Sequence, residues 1–239
     1  PPWLHREVAR RMAERLQIIR LRPRQLVDWW GWLGAGETLL EQAYPEALRI
    51  VVEPNDALRA RSEAAAKRPW WSARRWQGAG SQVLAAADAV PGGAQLVWAN
   101  MMLHAVADPP ALFAQWQRAL DVDGFVMFSC LGPDTLKELR GLYARLGWPP
   151  PAHEFTDMHD WGDQLVAAGF AEPVMDMELI TLTFASPQRL LAELRELGRN
   201  LHVGRFGALR SHGWRQRLEA AMDEQLRAPG SGEPLSLSF

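Results

Sequence analysis

The sequence predicts an α/β fold, a mainly parallel sheet with helices on both faces. Two observations carry that prediction. First, short apolar runs (QLVDWW, RIVV, QLVWAN, FVMFSC) alternate with segments of helical period. Strands buried on both faces read as such near-continuous apolar runs. Second, the first run passes through Gly31, Gly34 and Gly36 and a short helix to a second run closed by Glu53 and Pro54. Strand, glycine loop, helix, strand and acid, in that order, make a βαβ unit of the kind that opens a nucleotide-binding sheet.

Each element has its own signal. Over residues 4–20, Leu4, Val8, Met12, Leu16 and Ile19 recur at steps of three and four, which predicts an amphipathic helix stopped by Pro23. After the QLVDWW strand, a helix is expected over about 36–44, the RIVV strand next, and a helix over 56–68. Residues 69–93 are rich in Gly, Ala and Trp and show no clear period. QLVWAN (95–100) reads as a buried strand, and PPALFAQWQRAL (109–120) as a helix with proline at its start. Asp123-Gly124 turns the chain into FVMFSC (125–130). TLKELRGLYARL is a helix that Thr135 and Glu138 would open as a capping box. A proline-rich connection (147–155) leads to DWGDQLVAAGF, a helix that Asp160 would cap and Gly169 would close. EPVMDMELITLTF (172–184) predicts a long strand, SPQRLLAELRELG a helix ending at Gly198, and LSLSF a last strand expected to continue beyond the sequence.

Composition narrows the function classes. With 239 residues, 48% hydrophobic and 23% charged, the chain is expected to form one folded domain over 1–239, not a disordered segment. A net charge of −2 and the lack of a recognition motif argue against nucleic acid as a partner. The single cysteine, Cys130, excludes an intrachain disulfide framework and reads as a small buried hydrophobe at a strand end. His153, Asp157, His159 and Asp160 match no zinc spacing, so no metal is expected. No run of about 18 apolar residues offers a membrane span, and no signal peptide is visible, so a cytoplasmic location is expected. The chain starts at Pro1 without a Met, so the native protein is expected to begin earlier. Twelve tryptophans stand against two lysines, and Trp29, Trp30 and Trp32 crowd into the glycine loop.

Several segments carry a resemblance to a known family: LHREVARRMAERL, YPEA at 44–47, NMMLHAVADPP at 100–110, FSCLGPDTLKELR at 128–140 and FTDMHDWGDQLVAAGFAEPVMDMELITLTF at 155–184. The chain resembles the class I S-adenosylmethionine-dependent methyltransferases. More narrowly it is similar to the BioC family, the malonyl-acyl-carrier-protein O-methyltransferases of biotin synthesis. The resemblance implies a Rossmann-like fold with a seven-stranded sheet, lid elements near 1–20, 141–165 and 198–226, S-adenosylmethionine as cofactor, and methyl transfer to the free carboxyl of a malonyl thioester on acyl carrier protein. The 128–184 stretch also looks like a related group, complex I assembly factors that hydroxylate an arginine on this fold. A pseudo-methyltransferase that has lost its cofactor is the alternative from another class.

The family's cofactor loop reads D-x-G-x-G-x-G, and counting from Asp28 places Trp30, Trp32 and Gly34 on its glycines. The resemblance makes Asp28, Gly31, Gly34, Glu53 and Asn100 the cofactor-binding candidates, with Glu53 on the ribose hydroxyls. Asp28 reads either as the loop-anchoring acid or as a polar residue ending a buried strand. The third-strand acid has no secure counterpart: ungapped counting gives Val83, and a gap brings in Asp88. Gln95 stands where an acid precedes the fourth strand. Glycines let a loop take positive φ and bring backbone close to a ligand. Trp30 and Trp32 are therefore candidates to fill the cofactor cleft. The alternative is that both rings turn into neighbouring helices while Gly31, Gly34 and Gly36 rebuild the loop. His159 and Asp160 are substrate-side candidates by resemblance. Arg195, Arg199, Arg205, Arg210, Arg215 and Arg217 form a basic 195–217 region, either a solvated helix face or a docking surface for acyl carrier protein. Methylating a carboxylate needs no nucleophile from the protein, so no catalytic side chain is assigned.

Overall fold

The computed structural model describes residues 2–67, 80–86, 88, 90–227 and 234–239. Much of the unpatterned stretch, including residues 69–79, lies outside the described residues. The chain forms two compact units, Pro1–Cys130 with Asp163–Pro173, and Leu131–Gly162 with Val174–Phe239.

The first unit is a five-stranded parallel sheet in the order β3-β2-β1-β4-β5. Its strands are β1 (Gln25–Trp29), β2 (Leu48–Glu53), β3 (Ser81–Ala85), β4 (Ala94–Ala99) and β5 (Leu120–Phe128). Its helices are α1 (Trp3–Arg15), the single turn α2 (Gly31–Gly34), α3 (Glu37–Ala43), α4 (Asp56–Ala66) and α5 (Pro109–Ala119). The apolar face of α1, with Ala9 and Met12, joins Leu26, Leu40, Tyr44, Leu96 and Trp98 in one buried cluster. Helix starts are capped by side chains: Asn55 Oδ1 accepts from Leu58 N at 3.0 Å and Asp108 Oδ1 from Ala111 N at 3.1 Å. Trp29, Trp98 and Trp116 are fully buried, and Trp29 meets Trp116 edge-on with ring centroids 6.2 Å apart.

In the second unit are α6 (Lys137–Arg145), β6 (Thr181–Phe184), α8 (Pro187–Leu197), α9 (His212–Gln225) and β7 (Leu235–Ser238). Helix α7 (Met158–Ala167) begins there. Strands β6 and β7 pair antiparallel as a separate two-stranded sheet. Tyr143, Trp148 and Trp214 pack as an aromatic cluster, and the Arg210 guanidinium carbon lies 3.8 Å from the Trp214 ring centroid.

Several sequence expectations are corrected. Among the described residues the main sheet holds five strands, not seven. Strand β3 arises inside the unpatterned stretch, because an edge strand is only half-buried and leaves a weak alternation. The long strand expected over 172–184 shrinks to Thr181–Phe184. Val174, Met177 and Leu179 stay exposed, and paired backbone begins only at Ile180, which exchanges two hydrogen bonds with Phe239. The Thr135–Glu138 capping box does not form. Leu136 takes the cap position at φ 57°, the Thr135 hydroxyl is buried without a partner among the described residues, and Glu138 turns to Ser238. Asp160 does not cap α7. Asp157 precedes the helix and accepts from His159 N at 2.8 Å, and Asp160 sits in the first turn. Gly169 closes that helix as expected, at φ 92°, with Phe170 N donating to Leu165 O at 3.0 Å. Cys130 is half-buried past the end of β5, not a core residue.

Candidate functional site

In a parallel sheet, ligands bind at the carboxyl ends of the strands where the strand order reverses. Here that point lies between β1 and β4, with β2 beside β1. Three pieces build the site at these strand ends: the Trp30–Gly36 loop after β1, Glu53 closing β2, and Asn100 just past β4.

The loop begins at Trp30, whose N–H donates to Val52 O at 2.7 Å and so extends the β1–β2 ladder. Trp30 then turns left-handed, at φ 55° and ψ 47°, the conformation for which a glycine would be chosen. Gly34 N and Ala35 N bond back to Trp30 O (2.9 Å) and Gly31 O (3.2 Å), closing the single turn α2. A Cβ on Gly31 would stand 2.7 Å from Asp28 Oδ2 and 2.8 Å from Val51, so only glycine fits there. Gly36 is equally confined, since a Cβ would come 2.7 Å from Trp98 Nε1. Gly34 is less tight, with its nearest contact Asn100 O at 3.6 Å.

Asp28 lies beneath the turn, fully buried. Its Oδ2 accepts from Arg49 Nε at 3.0 Å, and Arg49 Nη1 reaches Glu37 Oε1 at 3.0 Å. Burial pushes the Asp28 carboxyl above its ordinary range, against the pull of the Arg49 charge. Arg49 thus links Asp28 to Glu37 at the start of α3, while Asp28 Oδ1 is buried with no donor among the described residues.

Glu53 is also fully buried. Its Oε1 accepts two hydrogen bonds, from Trp32 N at 2.7 Å and from Ser62 Oγ at 2.6 Å. Its Oε2 is buried with no donor among the described residues. Burial raises this carboxyl too, and the Ser62 and Trp32 bonds oppose the rise. The Trp32 ring lies toward α4, with the Arg61 guanidinium carbon 5.9 Å from its centroid. Both Trp30 and Trp32 are half-buried.

Asn100 joins the pieces. Its Nδ2 donates to His5 O (2.8 Å) and Gly34 O (2.7 Å), and its Oδ1 accepts from Ser129 Oγ (2.7 Å). His5 Nδ1 donates to Leu33 O at 2.9 Å, so α1 is tied to the turn twice. Burial lowers the His5 pKa, which keeps the ring neutral near pH 7.

The structure therefore brings Asp28, Gly31, Gly34, Glu53 and Asn100 together around one turn. His159 and Asp160 belong to the other unit, exposed at the start of α7, with His159 Nδ1 2.8 Å from Asp157 Oδ1. Val83 lies inside β3, and Asp88 stands just beyond it, exposed, with Oδ2 accepting from Ala85 N. Gln95 Oε1 accepts from Arg24 N and Gln25 N and so fixes the start of β1. Sequence reading passed over Arg49, Ser62, His5 and Ser129. A charge at the head of the RIVV run was the available signal for Arg49. A serine nine residues past the acid, on a helix of mixed composition, offered none for Ser62.

The donor set can be tested against the cofactor that the fold family implies. A ribose hydroxyl needs an acceptor, and Glu53 Oε2 is a buried acceptor without a donor. Glu53 supplies the acceptor chemistry that the group needs, although with the turn in place its carboxylate has no exposed surface. The arrangement is a parallel sheet with a glycine-bearing loop after β1 and an acid closing β2, the architecture of a class I methyltransferase.

Solved structures agree on the fold. The YcgJ protein from Bacillus subtilis covers 95% of this chain and 93% of its own at TM-score 0.59 and 13% identity. A candidate methyltransferase from Bacillus halodurans covers 95% and 94% at TM-score 0.57 and 12% identity. No family model matches the chain. Curated relatives are nearer in sequence. The malonyl-[acyl-carrier protein] O-methyltransferase of Gallionella capsiferriformans is 39% identical over 95% of this chain and 79% of its own length. That of Laribacter hongkongensis is 39% identical over 95% and 77%, and that of Halorhodospira halophila 36% over 97% and 77%. The chain belongs to the malonyl-[acyl-carrier protein] O-methyltransferase family.

Proposed function

We propose that this chain transfers a methyl group from S-adenosylmethionine to the free carboxyl of a malonyl thioester carried by acyl carrier protein, the biotin-synthesis step that the resemblance implies. The observation that carries the reading is the coincidence of family membership over nearly the whole chain with a buried, donorless Glu53 oxygen at the end of β2. When bound, the cofactor supplies an electrophilic sulfonium methyl. Glu53 Oε2 would hold a ribose hydroxyl, the backbone of Gly31–Gly34 would lie against the bound molecule, and Asn100 would keep that backbone in place through Gly34 O. The malonyl carboxylate is ionised near neutral pH and needs no general base. The protein's part is orientation and the exclusion of water. The relatives favour this reading over an inactive chain or an assembly factor.

The carrier protein is acidic in this reading, and charge complementarity speeds such encounters. Two of the six arginines in 195–217 are committed elsewhere: Arg215 to Glu219 at 2.7 Å, and Arg210 to the Trp214 and Tyr143 rings. Arg195, Arg199, Arg205 and Arg217 are exposed and have no carboxylate partner among the described residues. These four form the docking surface in this reading, and His159 with Asp160 lie on the substrate side. The test is transfer of labelled methyl from S-adenosylmethionine to malonyl-acyl carrier protein as an esterase-labile product. Binding of cofactor without ester formation would overturn the substrate assignment. An Arg195→Glu/Arg199→Glu variant should raise KM for the carrier protein at low salt and match the parent at high salt.

A further inference from the structure

We propose that the Trp30–Gly34 turn is a resident cap on Glu53, and that the Trp32 main-chain N–H occupies the carboxylate until ligand displaces it. The inference rests on the reading that Glu53 holds the cofactor ribose. A ribose offers two adjacent hydroxyls, and a carboxylate receives both when each oxygen is free. In this chain one oxygen is already taken: Oε1 accepts from Trp32 N at 2.7 Å and from Ser62 Oγ at 2.6 Å. The other is buried, with no donor among the described residues. The carboxylate has no exposed surface, so no hydroxyl reaches it while the turn stays in place.

Two features make the turn a cap that is held yet displaceable. It is held at its far end, where Leu33 O accepts from His5 and Gly34 O from Asn100. At its near end it is entered through Trp30 in a left-handed conformation that costs a bulky residue free energy and that glycine takes freely. The tryptophans thus act on the cofactor through the backbone they carry. The Trp32 ring is turned toward Arg61 on α4, so the amide, not the indole, contacts the acid. Opening the turn frees Oε1 for the second hydroxyl, and Ser62 keeps one donor on the carboxylate throughout.

Hydrogen exchange at the Trp32 amide tests this directly, with S-adenosylhomocysteine as the probe. In the free protein the amide, bonded to a buried carboxylate, should exchange slowly. At saturating probe it should exchange at least tenfold faster while amides of β1 and β2 slow down. A Trp30→Gly variant, which takes the left-handed turn without strain, should hold the cap more firmly and bind the probe roughly fivefold more weakly by titration calorimetry. If the probe binds and the Trp32 amide keeps or gains protection, the cap is wrong and the cofactor reading stands. If the folded Trp30→Gly variant binds the probe as tightly as the parent or more tightly, the cap is again overturned. If neither protein binds at millimolar probe, the cofactor reading itself falls, and the cap with it.

Discussion

Glu53→Gln separates what Glu53 does for the fold from what it does for the ligand. The carboxyl is fully buried, its Oε2 has no donor among the described residues, and burial holds its pKa above the usual carboxylate range. An acid whose folded pKa is raised contributes stability that is fully present below its unfolded pKa. That stability is lost as pH rises through the folded pKa, because the folded state binds the proton more tightly. Above that window the ionised group is a cost. Glutamine keeps an oxygen for Trp32 N and Ser62 Oγ and carries no charge. It leaves a neutral amide N–H₂ unsatisfied in place of an ionised oxygen, and leaving a buried charged group unsatisfied costs more than the roughly 1–3 kcal/mol of a neutral one. The variant should therefore be more stable than the parent at pH 8 by about 1 kcal/mol, the difference between those two penalties. The gain should shrink toward zero near the unfolded pKa of about 4.5. Urea unfolding followed by fluorescence of the buried Trp29, Trp98 and Trp116 reads this out. The same variant should bind S-adenosylhomocysteine more weakly, since a hydrogen bond to a charged acceptor is worth about 1.5–3 kcal/mol, or roughly 10- to 150-fold. If Glu53→Gln loses more than about 1 kcal/mol at pH 8 with no pH dependence, the Trp32 and Ser62 bonds outweigh desolvation. The account of this buried acid is then wrong.

The same contacts set further outcomes. Arg49→Met leaves the buried Asp28 carboxyl without its partner, and breaking a buried pair in this way costs about 3–5 kcal/mol. Adding Asp28→Asn should recover much of that loss in the same unfolding assay. Asn100→Ala strips donors from His5 O and Gly34 O and a partner from Ser129, so it should cost about 2–4 kcal/mol and speed amide exchange through α2. Burial alone would raise the Glu138 pKa, but the two bonds from Ser238 win and hold it low. Its contribution is therefore present above the unfolded pKa of about 4.5 and lost as pH falls through the folded value. Exchange at β7 should accelerate on acidification, and Glu138→Gln should remove that dependence.

The legible part of the fold was the part that buries apolar surface on both sides. β1, β2 and β4 read directly from their runs, and Asp28, Glu53 and Asn100 stand at their ends because a parallel sheet places chain ends there. β3 was not legible because an edge strand carries no strong period. The 172–180 stretch misled because alternation predicts a strand only where a partner lies alongside, and pairing with β7 reaches no further than Ile180. The Thr135–Glu138 pattern misled for a related reason. A local capping box competes with long-range partners, and Ser238, far along the chain, took Glu138. At the site itself, the family spacing located the loop but could not show that a backbone amide, Trp32 N, would sit on the acid.

Trp30 holds a backbone conformation for which glycine would be chosen. A bulky residue in the left-handed region costs roughly 1–2 kcal/mol, and such a conformation persists only where its surroundings over-determine it. Here they do: Trp30 N is pinned to Val52 O, Trp30 O receives Gly34 N, and Gly31 is pressed against Asp28 and Val51. The left-handed backbone at Trp30 is kept by hydrogen bonds on either side of it. Trp30→Gly should therefore release about 1 kcal/mol of strain, partly offset by glycine's greater freedom in the unfolded chain. A Trp30→Ala variant should gain less, because alanine still carries a Cβ into the same φ. Equal stability of the glycine and alanine variants would mean that the backbone at position 30 relaxes once the indole is gone. The hydrogen bonds to Val52 and from Gly34 would then not be what holds the turn over Glu53.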